Sequence, residues 1–501
     1  MLPLPAHSDE SEAAPPSPPS PSDTATTVTG TEDLEQGMIV AQLLKYDSHG
    51  HSTAWSKGEF DANHNFTETV KTIIDTVTYP SYYGEFAMNG EMEGFSHYAE
   101  TKVVPAAILC EELAQAEIRM TALRGSEIRP GYSYYLRKDF SQHRIYNMGD
   151  SHGSLHSMCD IFADMKANGA FDNNTGKLNP NVAVVCTGDI LDRSPYCLDC
   201  LYLMLRLQRE NPDVVVLTSG NHESDSRFWD YSYGTGFELE KEYPGNSVCG
   251  SLSMREQLKA VTTRLPASLI ARTRVGIVQF NHGGIENFLF HALPLKINQA
   301  EHAKAQKFLS FAQFTDDPDI TTMETRKPIF ENPLVWGDMF VDDNPNSSPP
   351  RVVISEQTLR TYLTNTGIKL LMRGHSDMAN LSLTYRRGTG PSDQLQAENS
   401  VDSDVVGANW KYYGSEARDT RTPDNIKRGN SFVFHLKDMQ NVEVYDMHTL
   451  QLSSHNQESF IKTLYRSSAP DNNLLAVTVS SCPFSKPFGV VQEMSTYVVF
   501  T

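Results

Sequence analysis

Five short blocks of the chain hold residue types that bind cations or move protons. They are Gly149-Asp150-Ser151-His152-Gly153, Gly188-Asp189-Ile190-Leu191-Asp192-Arg193, Gly220-Asn221-His222-Glu223, Asn281-His282-Gly283-Gly284 and Arg373-Gly374-His375. Carboxylates, imidazoles and an amide oxygen form a mixed oxygen and nitrogen donor set, which suits manganese, iron or zinc rather than calcium. Asp150, His152, Asp189, Asn221, His282 and His375 together are too many donors for one tetrahedral zinc ion. Two cations a few ångström apart, with one aspartate bridging them, use the whole set and turn a water into a nucleophile for in-line attack at phosphorus. Arg193 offers a planar donor fork to a phosphate, and Arg351 or Arg373 offers a second contact. His222 is placed to protonate the departing oxygen, Asp192 to hold its ring and raise its pKa, and Glu223 to give structural support.

Each block stands where an apolar run stops. Ile145–Met148, Val182–Cys186, Val214–Leu217, Val275–Phe280 and Ile368–Met372 are short and rich in β-branched residues, and the spacing predicts buried strands. Between them, Leu155, Met158, Phe162 and Met165, then Leu198, Leu201, Tyr202 and Leu205, recur at intervals of three and four, as do Met254, Leu258, Val261 and Leu265. That is the strand-helix-strand rhythm of an α/β domain. Ligands in such sheets collect beyond the carboxyl ends of the strands, so blocks far apart in sequence are expected to converge.

The remaining chain divides by composition. Residues 1–35 predict a disordered acidic Pro/Ser-rich tail. Residues 36–140 predict a helical N-terminal extension, from Val70, Ile73, Ile74 and Val77 and from a second run through Leu109, Leu113 and Ala116. Residues 141–501 form the catalytic domain, with a polar insertion at about 388–428 and C-terminal strands at Leu381–Tyr385, Phe432–Leu436, Leu474–Val479 and Tyr497–Phe500, read as a second sheet. Net charge −20, from 42 basic and 62 acidic residues, repels phosphate backbones, which argues against nucleic-acid binding. No apolar run is long enough to span a membrane, and no lysine or arginine precedes Lys45, so a cytoplasmic protein is expected, or one that leaves its cell without an N-terminal signal peptide. Seven scattered cysteines suggest a reducing compartment without a disulfide framework, and Cys197 and Cys200 read as buried apolar residues.

In this order and at these intervals, the blocks resemble the signature of the calcineurin-like metallophosphoesterases, and more closely the phosphoprotein phosphatase family of serine/threonine phosphatases. Asn281-His282-Gly283-Gly284 resembles that family's HGG segment, Pro333–Asp338 its LLWSDP segment and Arg373-Gly374-His375 its RAH segment. The resemblance covers roughly Arg144 to Leu383. It implies an α/β fold, a calcineurin-like β-sandwich flanked by helices. It also implies a metal-dependent protein phosphatase that hydrolyses phosphomonoesters on protein side chains by direct attack of metal-bound hydroxide, with regulatory partner proteins unspecified. Two divalent metal ions are implied, Mn2+ first and Fe or Zn as alternatives. Asp150, His152 and Asp189 would hold one ion, and Asp189, Asn221, His282 and His375 the other. His222 would be the acid, paired with Asp192, while Arg193 matches the arginine of the family's DRG motif and Arg351 stands near its second phosphate-binding arginine.

Three departures bear on substrate. Ser194 replaces the glycine of DRG, Ser347-Ser348-Pro349-Pro350 replaces the usual neighbours of the second arginine, and Ser481-Cys482-Pro483-Phe484 stands where the family has SAPNY. Serine/threonine preference is therefore not inherited. Such divergence is similar to that of effector phosphatases delivered into host cells by intracellular bacteria, some of them acting on phosphotyrosine. The alternatives are a phosphotyrosine-directed effector, a small-molecule or nucleotide phosphoesterase, and an inactive scaffold.

Overall fold

The computed structural model describes residues 44–46, 52–54, 104–286 (apart from 105, 127, 173–174, 193–195, 231–234, 242–247 and 250–251), 308, 322–339, 353–375, 432–446, 464–466, 473–481 and 496–500. The expected tail at 1–35, the helix around Val70–Val77, the strand at Leu381–Tyr385 and the insertion at 388–428 lie outside the described residues.

Thirteen of the described strands build two mixed sheets. They are β1 (Tyr132–Asp139), β2 (Arg144–Met148), β3 (Val182–Cys186), β4 (Val215–Leu217), β5 (Ser268–Thr273), β6 (Gly276–Asn281), β7 (Thr322–Pro328), β8 (Leu370–Arg373), β9 (Phe432–Leu436), β10 (Val442–Asp446), β11 (Leu464–Arg466), β12 (Leu474–Thr478) and β13 (Thr496–Phe500). One sheet runs β7-β1-β5-β6-β8-β12-β11 and the other β10-β9-β13-β2-β3-β4. β2, β3 and β4 are parallel neighbours, as are β6, β8 and β12.

Period-two alternation explains the layering. Ile145, Ala183, Val185, Val216, Val278, Phe280, Leu370, Met372, Val498 and Phe500 share one buried cluster, drawn from strands of both sheets. Tyr146, Met148, Val182, Val184, Cys186, Val215 and Leu217 instead pack with helices α2 (Leu155–Ala167) and α3 (Cys197–Glu210). On the other sheet, Tyr135, Ile270 and Leu371 pack with Leu359, Tyr362 and Leu363 of α8 (Glu356–Thr366). Because both faces are covered, the strands read as continuous apolar runs.

Two elements sit differently from the sequence expectation. The C-terminal strands do not make a sheet of their own: β9, β10 and β13 extend the β2-β3-β4 sheet, while β11 and β12 extend the other. β1, assigned by composition to the helical extension, is an inner strand between β7 and β5.

Helix α1 (Ala106–Arg124) buries Leu109, Leu113, Ala116 and Met120 in the cluster that contains α3 and α6 (Met254–Thr262). Polar ties fix it there. Buried Glu112 bridges Arg119 of the same helix at 2.9 Å and Arg209 of α3 at 2.7 Å. Glu117 pairs with Arg264 at 2.9 Å, and the Val104 N–H donates to Asp199 at 3.1 Å. A disulfide between Cys110 and Cys249 also ties α1 to the strand Val248–Cys249, 139 residues away, a pairing not foreseen in a chain expected to lack a disulfide framework. Cys159, Cys186, Cys197 and Cys200 are free and buried. No helix among the described residues is long and apolar enough to cross a membrane.

Candidate metal centre

β2, β3 and β4 deliver Asp150 and His152, Asp189 and Asp192, and Asn221 and His222 from one sheet, while β6 and β8 deliver His282 and His375 from the other. The two sets meet. Asp189 Oδ2 lies 3.3 Å from His152 Nε2 and 3.1 Å from His282 Nε2, and Asn221 Oδ1 lies 2.9 Å from both His282 Nε2 and His375 Nδ1. Ligand atoms of His152, Asp189 and His222 lie within 4.8 Å of one another, as do those of Asp189, His282 and His375. Asp189 is common to both groups.

Asp150 joins neither group. Its Oδ1 accepts the His375 backbone N–H at 3.1 Å and lies 3.5 Å from His282 Nδ1. Arg193 and Arg351 lie outside the described residues. Arg373 does not reach toward a phosphate: it is 2 % exposed and spends its guanidinium on the Gly283 carbonyl at 2.9 Å and the Gly337 carbonyl at 3.0 Å. The second phosphate contact expected of it is corrected to a clamp between two loops, and burial lowers its pKa.

The backbone is strained where the side chains converge. Among the described residues, the non-glycine positions with positive φ are His152 (44°), Asp189 (52°), Asp192 (67°) and His375 (66°), all of them candidate site residues. Such conformations are unfavourable for a side-chain-bearing residue and persist only where surrounding contacts overdetermine them. Those contacts are present. Glu223 accepts the N–H groups of Gly220 (2.8 Å), Asp189 (2.8 Å), Ile190 (2.9 Å) and Leu191 (3.0 Å), binding the β3 loop to the β4 loop. Gly188 is required for the approach, because a Cβ there would stand 2.3 Å from the Gly220 nitrogen, and one on Gly374 would stand 2.0 Å from Asp150 Oδ1.

Proton inventory supports cation binding. A carbonyl can only accept, so His282 carries its proton on Nδ1 toward the Thr187 carbonyl (3.0 Å), and His152 carries its own on Nδ1 toward the Leu191 carbonyl (2.7 Å). Both Nε2 lone pairs then face Asp189 Oδ2, and that of His282 also faces Asn221 Oδ1. Acceptors this close repel one another unless a proton or a metal cation stands among them. The field is consistent with that. Burial disfavours a charged His282 ring, yet Asp189 and Asp150 raise its pKa to about 9. Burial likewise opposes the Asp189 anion, but His282, His222 and His152 hold its carboxyl well below the usual range. Asp189 is common to two groups of side chains whose donor atoms suit borderline divalent ions.

His222 stands beside this set. Asp192 Oδ2 accepts from its Nδ1 at 2.8 Å, and Asp192 is in turn held by Thr235, whose backbone N–H donates to Oδ1 at 3.1 Å and whose Oγ1 accepts the Asp192 N–H at 3.2 Å. Thr235 opens helix α5 (Thr235–Lys241), and Glu238 of that helix caps α3 through the N–H groups of Cys197 and Leu198. Sequence reading missed Thr235 because it lies in no motif.

Residues 143–377 match the family described as calcineurin-like phosphoesterase. This region is a calcineurin-like phosphoesterase domain. Two curated relatives that it resembles are serine/threonine phosphatases. It is 33% identical over 100 residues to the "Serine/threonine-protein phosphatase PP2A-like PPG1" of Saccharomyces cerevisiae, covering 20% of this chain and 24% of the relative. It is 31% identical over 100 residues to the "Serine/threonine-protein phosphatase 6 catalytic subunit" of Caenorhabditis elegans, covering 20% and 26%. The match thus spans about a quarter of the length of these curated relatives. A solved Saccharomyces cerevisiae protein serine/threonine phosphatase with similarity to human phosphatase PP5 aligns over 55% of this chain and 72% of its own, at 17% identity and a TM-score of 0.37. A cold-active protein-tyrosine phosphatase of a Shewanella species aligns over 51% and 70%, at 18% identity and a TM-score of 0.31. Of the motif residues in this region, the two sheets bring His152, Asn221, His222, His282 and His375 together with Asp189.

Proposed function

We propose that the phosphoesterase domain is a metal-dependent protein phosphatase that hydrolyses phosphomonoesters on protein side chains. The observation that supports this reading is the convergence of two donor groups on Asp189, one of which includes His222 with its ring held by Asp192. Asp150, His152, Asp189, Asn221, His282 and His375 would hold two divalent cations, manganese first, and Asp150 Oδ1 also accepts the His375 backbone N–H. When bound, the cations supply a water acidified enough to attack phosphorus and charge that screens the phosphoryl oxygens. His222 donates a proton to the departing alcohol oxygen, and Asp192 fixes its ring. Arg193, two residues after buried Leu191, is assigned to the phosphoryl oxygens, with Arg351 as a second donor.

A Mn2+-reconstituted protein assayed on phosphoserine, phosphothreonine and phosphotyrosine peptides, with nucleotides in competition, tests the reading. Peptide turnover that nucleotides inhibit only weakly is expected. Turnover confined to nucleotides or small phosphoesters would overturn the protein-substrate assignment, and a metal-loaded protein inactive on the whole panel would overturn the catalytic one.

A further inference from the structure

Six rings follow one another in contact from one side of Asp189 to the other. His152 stands 4.8 Å from His222, His222 4.8 Å from Phe228, Phe228 5.4 Å from Trp336, Trp336 6.2 Å from His375 and His375 4.9 Å from His282, as centroid separations. His282 and His152 close the circle through Asp189 Oδ2. Four members are imidazoles. The other two, Phe228 and Trp336, have no lone pair to offer a cation, and they occupy the arc between His222 and His375.

Phe228 is held there firmly. It lies in the short 3-10 turn Phe228–Asp230, packs against two separate apolar clusters, and is followed by Trp229, whose Nε1–H donates to the His222 carbonyl at 2.9 Å. It is nevertheless only partly buried, whereas His222 and Trp336 are 7 % and 9 % exposed. A leaving oxygen protonated by His222 must come within hydrogen-bond reach of that imidazole. The atoms bonded to that oxygen then arrive next to the Phe228 ring, which is tilted 39° from the His222 ring, with Trp336 beyond it at 40° to Phe228. A phosphotyrosine presents an aromatic ring directly bonded to the leaving oxygen, while a phosphoserine or phosphothreonine presents one saturated carbon and then backbone. Only the first can stack on this wall.

We propose that Phe228, backed by Trp336, is a specificity-determining residue of the site and that it selects aryl phosphomonoesters, phosphotyrosine in proteins. The assignment rests on the phosphatase reading above. The hydrolysis itself is unchanged: the P–O bond to the phenol breaks, water supplies the new P–O bond, and the phenolate oxygen takes the proton from His222.

The test is one peptide sequence carrying either phosphotyrosine or phosphothreonine, turned over by the Mn2+-reconstituted full chain, by Phe228→Leu, which keeps apolar bulk, and by Phe228→Tyr, which keeps the ring. The parent is expected to favour the phosphotyrosine peptide in kcat/KM, by about three- to tenfold from aromatic stacking alone. Phe228→Leu should remove that margin by slowing the aryl substrate alone, and Phe228→Tyr should retain it. Calorimetric binding of benzylphosphonate against butylphosphonate gives the same comparison without turnover. Equal use of both peptides by the parent, a preference for phosphothreonine, or equal losses on both in Phe228→Leu would overturn the assignment while leaving the phosphatase reading intact. No turnover of either peptide by metal-loaded protein would overturn both.

Discussion

Replacing Asp189 by asparagine preserves the shape of the side chain and its acceptance of the His222 N–H at 3.0 Å, but removes the charge shared by the two donor groups. The structure gives a scale for the loss. Asp189 is the leading favourable influence on His282, ahead of Asp150, and together they lift its pKa from 6.5 to about 9 despite burial. A rise of that size corresponds to roughly 3 kcal/mol of attraction for a single positive charge. Asp189 supplies the leading share of that attraction, and a divalent cation carries twice the charge, so its loss should weaken binding on the order of a hundredfold. Titration of metal-free Asp189→Asn with Mn2+ by calorimetry, beside the parent and with near-ultraviolet circular dichroism as a folding check, measures it directly. Weakened binding at both sites is expected. A folded variant that binds two ions within threefold of the parent would refute the shared role of Asp189.

Other outcomes follow from the same geometry. His222→Asn should slow phosphoserine and phosphothreonine peptides by about 10²- to 10⁴-fold while barely affecting p-nitrophenyl phosphate, whose leaving group needs no protonation; equal losses on both substrates would exclude the acid role. Mn2+ affinity should depend on pH in a fixed direction. His282 holds an extra proton in the metal-free protein up to about pH 9, so the cation must displace it at lower pH. Binding should therefore tighten as pH rises toward about 9 and release a proton near neutrality, seen as a buffer-dependent heat; pH-independent affinity between 6 and 9 would contradict this. Glu112→Gln should destabilise the domain by about 1–3 kcal/mol, since it unpairs two arginines that are partly exposed and can rehydrate; an unchanged thermal midpoint would show that the α1 clamp contributes nothing.

What was legible in the sequence follows from local physics. Runs such as Val182–Cys186 are buried on both faces and so read as continuous apolar strands, and glycine and histidine at their ends are visible by type alone. Sheet membership is a non-local property. Nothing in Phe432–Leu436 or Leu474–Thr478 says that the first joins β13 and the second joins β8, so an independent C-terminal sheet fitted the sequence equally well. Tyr132–Asp139 mixes aromatic and charged residues without clean alternation, because an inner strand at the sandwich margin buries both kinds. Arg373 shows another limit: a planar fork serves two carbonyls as readily as a phosphate, and only its 2 % exposure decides between them. The Cys110–Cys249 pairing across 139 residues carries no spacing signal, and Phe228 lies in the irregular stretch Ser226-Arg227-Phe228-Trp229-Asp230, where no periodicity marks it.

The meeting of both sheets around one shared carboxylate is tested most directly by anomalous diffraction from crystals of the Mn2+-loaded protein at the manganese edge. Two peaks flanking Asp189 are expected, one beside His152 and the other beside Asn221, His282 and His375. A single peak, or manganese bound only elsewhere on the chain, would contradict the account.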